Sequence, residues 1–136
     1  MTEVPPPNIE KYYTQYKAYF IEPNQGSGVY AITCQCGEEY VGATKRNLHT
    51  RIKEHVRDSQ KTNIPNISGL SLHMKETKHN IQSHKILERA NSYLERNIKE
   101  AYHIIKRKPA LNLDSGNLPS DWHQCISNFA SNLNQP

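Results

Sequence analysis

The run from Gly28 to His55, GVYAITCQCGEEYVGATKRNLHTRIKEH, carries two tyrosines, two cysteines, two arginines and two histidines. Its tripeptides Gly28-Val29-Tyr30 and Tyr40-Val41-Gly42 repeat one phrase in reversed order. Two phenols at matching places on a hairpin could be displayed to a substrate. They could also fill a core, as strand tyrosines usually do. Downstream, Arg51 and His55 stand four residues apart, which puts a permanent cation and an acid–base group on one helix face.

A second set of residues points to a metal. Cys34 and Cys36 lie between the tyrosine motifs, and residues i and i+2 of a strand point to one side. Far along the chain, His73 and His79 stand six residues apart. Two thiolates with two imidazoles form the closed tetrahedral set that structural zinc favours. A disulfide between such close cysteines would be strained. The Cys-x-Cys gap is shorter than usual, and His84 is the substitute ligand if His79 is not used. A bound zinc contributing on the order of 10 kcal/mol to folding would suit a small polar domain.

Composition agrees with that need. The chain has 136 residues, enough for one domain or one small domain with extensions. Hydrophobic residues make up 35% and mean hydropathy is -0.83, so a staple would help the core. The net charge of +4 favours a polyanionic partner without establishing one. Three cysteines do not form a disulfide framework in a reducing compartment. No run approaches the roughly 20 apolar residues of a membrane span. Residues 1–7 have neither the basic start nor the apolar middle of a secretory signal. A soluble, intracellular protein is expected.

The elements that must position these groups follow from periodicity. Strands are expected over Val29–Thr33 and Glu39–Val41. Thr44 is read as the cap of a helix through about Arg57, with Leu48, Ile52 and Val56 facing inward. Residues 58–67 read as a loop, followed by a short helix near Ser68–Glu76. Ile86 and Leu87 either finish a strand or open the next helix. Leu87, Ala90, Leu94, Ile98, Ala101 and Ile105 predict a long helix that stops before Pro109. Ile9, Tyr12, Tyr13, Tyr16 and Phe20 predict an aromatic-rich helix in an extension over 1–27. The tail, 114–136, carries Trp122 and Cys125 and has no strong signal. His49, His103 and His123 read as surface residues, and Cys125 as a lone thiol.

Gly28-Val29-Tyr30 and Tyr40-Val41-Gly42, with Val for Ile in both, resemble the paired signature of the GIY-YIG endonucleases. Arg51, His55, Glu100 and Asn112 match that family's later polar positions, and the resemblance covers about 28–113. It implies an α+β fold, a short antiparallel sheet flanked by helices, with the N-terminal helical extension and the zinc site added. It also implies hydrolysis of a DNA phosphodiester. Glu100 would hold one catalytic Mg²⁺ or Mn²⁺. Arg51 would set a charged fork against the non-bridging oxygens. Tyr30 would orient or deprotonate water, and His55 is the rival base, since a pKa of about 6.5 suits the task better than one of about 10. Tyr40 would bond water or phosphate, and Asn112 would fix the polar network.

Cysteines between the two signatures, the spacing of His73 and His79, and the run through Asn112, Asp114, Leu118-Pro119 and Trp122 are similar to the endonuclease domain of Penelope-like retroelements. That likeness implies nicking of one strand, leaving a 3′-OH that could prime reverse transcription. A reverse transcriptase with its RNA template would then be a partner, and the nucleus the location. Lys45, Arg46, Lys53 and Arg57, with Lys106, Arg107 and Lys108, are the expected DNA-backbone contacts, sensitive to salt. Two other readings stay open: a zinc-stapled nucleic-acid-binding module without turnover, and a structure-specific repair nuclease.

Overall fold

A computed structural model describes residues 27–113, 116 and 118–133. The expected N-terminal aromatic helix lies outside the described residues. Strand β1 (Gly28–Cys34) turns into β2 (Glu39–Thr44); helices α1 (Leu48–Ser59) and α2 (Gly69–Thr77) follow, then β3 (Ile81–Arg89), α3 (Tyr93–Arg107) and α4 (Ser120–Leu133). The sheet is antiparallel, in the order β2-β1-β3. No helix among the described residues is long and apolar enough to cross a membrane.

The period-two alternation of β1 divides the molecule into layers. Tyr30, Ile32 and Cys34 pack with Leu48, Leu70, Met74 and Leu111, so α1 and α2 cover one face. Val29 and Ala31 pack with Val41 and Ile104 on the other face, under α3. A central strand covered on both sides is buried at nearly every residue, as β1 is.

The structure departs from the expected elements at six places. The cap of α1 is Asn47, whose side chain accepts from the backbone N–H of His49 at 2.7 Å. Thr44 instead ends β2, paired with Gly28, and its hydroxyl accepts from the N–H of Arg46. The inner face of α1 is Leu48 and His55 with Ile52, while Val56 is 38% exposed. The long helix begins late, because Leu87 lies inside β3, at the bulge between the Ile86 and Glu88 pairings with β1. Ser92 caps α3, accepting from the N–H of Glu95, and Glu95 reaches back to the N–H of Asn91.

The tail is the fourth departure: it is helix, packing Trp122, Ile126 and Ala130 against Ile98, Ala101 and Tyr102, with Cys125 partly buried beside them. His103 is the fifth, since it is half-buried and meets Glu88 at 3.1 Å instead of lying free on the surface. His123, also half-buried, is the sixth, whereas His49 is exposed as expected. Glu95 and Lys99 form a buried pair 3.4 Å apart. Lys99 also donates to the carbonyl of Arg89, tying α3 to the end of β3.

Candidate active site

In the hairpin register Tyr30 lies opposite Gly42, and Ile32 opposite Tyr40. The two phenols therefore share the face covered by α1 and α2. Gly42 makes this possible: a Cβ there would stand 2.5 Å from the Tyr30 hydroxyl oxygen. The ring of Tyr30 crosses that gap, and its hydroxyl lies 2.8 Å from Nε2 of His55. The Tyr40 ring meets the same imidazole edge-on, with centroids 5.3 Å apart.

The hydrogen-bond network defines the tautomer of His55. Its Nδ1 lies 3.0 Å from the hydroxyl oxygen of Ser68. The Ser71 hydroxyl donates to the His55 carbonyl, and the Ser68 hydroxyl donates to Ser71. Both serine protons are thus committed, and Nδ1 must be the donor. Nε2 is then a lone pair that accepts from the Tyr30 phenol. Burial, helped by the charge of Arg51, pushes the His55 pKa down to about 3. Burial also drives the Tyr30 phenol well above its ordinary value; Tyr40 and Glu100 act in the same direction, while Arg51 opposes them.

Above this buried pair opens a cleft of about 290 Å³, lined among others by Tyr40, Arg51, Ser68, Gly69, Glu100 and Asn112. Arg51 comes from the first half of α1, where Glu54 holds it at 3.1 Å. Glu100 comes from α3. Asn112 arrives because the chain after α3 runs along the free edge of β2. The Leu111 N–H donates to the Glu39 carbonyl, and the Asn112 amide both accepts from the Val41 N–H and donates to the Val41 carbonyl, each at 2.8 Å. Gly69 lets α2 approach this segment, since a Cβ there would overlap the Leu111 carbonyl.

Tyr40, Arg51, Glu100 and Asn112 are therefore gathered on one cleft, with Tyr30 and His55 packed beneath. Asn112 spends its amide on backbone, so it positions the cleft's edge. Ser68 and Ser71 were missed. Ser68 carries an N-cap signal and fills that role, accepting from the N–H of Ser71, but its contact with His55 has no local signature.

Two sets of donors suit metals. Cys34, Cys36, His73 and His79 each offer one atom, and these atoms lie within 4.8 Å of one another. Cys36 Sγ is 3.5 Å and His79 Nδ1 is 3.3 Å from His73 Nε2. Metal–donor bonds of about 2.0–2.3 Å bring tetrahedral donors to similar separations, so the set fits zinc. His84 is exposed on β3, outside the cluster. Glu100 offers a single carboxylate in an open cleft, which suits a hard divalent ion that keeps several waters.

The expected backbone-binding residues divide. Arg46 is paired with Glu54, and Arg57 with Asp58. Arg107 grips Glu39 through two bonds of 2.8 Å, holding that carboxyl below its usual range. Lys106 stands over the Tyr102 ring, and Lys45, Lys53 and Lys108 are exposed.

Comparison with known proteins yields one family, the GIY-YIG catalytic domain, whose profile matches residues 26–109. No match was found among curated proteins or among solved structures.

Proposed function

This chain belongs to the GIY-YIG family of metal-dependent nucleases, and from that premise we propose that it is a DNA endonuclease acting in the cleft between Arg51 and Glu100. The observation that carries the reading is the meeting of Tyr40, Arg51, Glu100 and Asn112 around one cleft. Arg51, always charged, would hold the non-bridging oxygens of the scissile phosphate. Glu100 would hold Mg²⁺ or Mn²⁺; when bound, such an ion neutralises charge gathering on the phosphate and the leaving oxygen. Tyr40 would steady the incoming water.

Tyr30 and His55 then act in series. His55 faces Tyr30, and its neutral Nε2 engages the phenol proton, which leaves the Tyr30 oxygen to accept a hydrogen bond from the attacking water. The Nδ1–H bond to Ser68 keeps Nε2 free to engage that proton. Asn112 holds the β2 edge, and therefore Tyr40, in register.

We extend the reading to the Penelope-like retroelements. Supporting it are the cysteines of the hairpin turn and the two histidines of the α2 region, whose donors converge as a zinc staple would need. On this reading the enzyme nicks one strand and leaves a 3′-OH for a reverse transcriptase with its RNA template, in the nucleus. Lys45, Lys53 and Lys108 are the exposed candidates for backbone contacts.

Supercoiled plasmid incubated with Mg²⁺ or Mn²⁺ tests the proposal. Relaxed circles with 3′-OH ends are expected from the wild type. Glu100→Ala should fold, bind and lose cleavage by about 10²-fold or more, as when a transition-state electrostatic contact is removed. Uncut plasmid, or equal cutting by Glu100→Ala, overturns it.

A further inference from the structure

A second cleft, of about 470 Å³, opens at the far end of the α1–α2 pair from Arg51. Val56, Met74 and Ile81 supply its apolar part; Lys61, Lys75 and Lys78 bring cations to it, and no aspartate or glutamate lines it. None of these lysines has an ion pair among the described residues, whereas Arg46, Arg57 and Arg107 are each matched to an acid. The arginines of the basic surface most evident in the sequence are therefore neutralised, while these three lysines are not.

The walls are held firmly. Lys78 caps α2 in the left-handed conformation, with φ 64°, and its N–H bonds to the Met74 carbonyl. Beyond it, Asn80 is clamped to Gln35 of the hairpin turn by two bonds, its carbonyl accepting at 2.9 Å and its N–H donating at 2.7 Å. Lysine stems lying along apolar surface keep their ammonium groups at its rim, and a concave low-dielectric wall concentrates their field. Three unpaired cations around a concavity free of acids fit a chain of phosphates.

We propose that this cleft seats the phosphate backbone of the substrate DNA to one side of the cut, a reading that rests on the endonuclease assignment. Gly69 lies at the catalytic cleft and Lys78 at this one. The axial rise between them is about 13 Å, or roughly four base steps of duplex. A strand leaving the cleft at Arg51 along α2 reaches the lysines within that span. Their contribution is affinity, with no part in the chemical step.

The test compares wild type with the triple variant Lys61→Gln, Lys75→Gln, Lys78→Gln on duplex DNA. The expected result is weaker binding, a fall of about 2–3 in the slope of log affinity against log salt, and unchanged kcat at saturating DNA. Duplexes ending within about four base pairs of the cut on that side should not distinguish the two proteins. Lys61→Glu alone, in the exposed loop, should weaken binding in the same direction if the triple variant misfolds. An unchanged salt slope and KM, or a loss confined to kcat, overturns the proposal. Binding measured without a divalent ion separates the two readings. A wild type that binds but never cuts defeats the nuclease assignment and leaves the cleft standing, whereas one that does not bind DNA defeats the cleft.

Discussion

Nε2 of His55 receives the Tyr30 hydroxyl at 2.8 Å, and the two side chains are 0% and 1% exposed. This contact joins the central strand to the helix that carries Arg51, and it leaves a neutral imidazole where a charge would be costly. Its consequence is a dependence of stability on pH. The unfolded chain protonates His55 near pH 6.5, whereas the folded protein holds it neutral down to about 3. Between these values the unfolded state binds the extra proton, so this contribution is complete above about pH 6.5 and is lost as pH falls toward 3. Urea midpoints from pH 7 to 4 should drop more steeply for wild type than for His55→Gln. Parallel curves would contradict the assignment.

Ser68 and Ser71 set which nitrogen of His55 is free. Ser68→Ala removes the acceptor of Nδ1–H and an N-cap together, and should cost about 1 kcal/mol of stability. If His55 orients the phenol, kcat should fall several-fold with little change in KM, and Ser68→Thr should recover most of it. A variant that loses stability alone would limit Ser68 to capping.

Asn112 completes the edge of β2 by answering both polar groups of Val41. Asn112→Ala leaves an N–H and a carbonyl wanting partners and should cost about 1–3 kcal/mol. Asn112→Asp keeps the acceptor but turns a carboxylate oxygen toward a carbonyl, and should be no better. Thermal melts of the two variants check this; wild-type stability in Asn112→Ala would show that water serves the edge as well.

Zinc removal should loosen the protein from the hairpin end. A strong chelator is expected to lower the melting temperature, with recovery on adding zinc, and Cys36→Ser should melt low from the start. Well-folded protein with no zinc by metal analysis would refute the staple.

What could be read in advance followed local rules. The Cys-Gly turn with its flanking tyrosines announced the hairpin, and Ser68 announced the start of α2. β3 was ambiguous because Gln82, Ser83, His84 and Lys85 are all exposed, so no alternation marks it; its place comes from pairing with β1, 47 to 61 residues away. Trp122, Ile126 and Ala130 lie at helical spacing among polar neighbours, and only the surface of α3 gives that stripe something to bury against.

Sequence alone determined which side chains each element can offer and on which face, since strand and helix periods are properties of the backbone. Tertiary structure decided their state: that His55 is neutral, that Arg107 is spent on Glu39, and that Lys61, Lys75 and Lys78 are not. Charge and proton affinity depend on burial and on distances between residues far apart in the chain, and no local pattern encodes those.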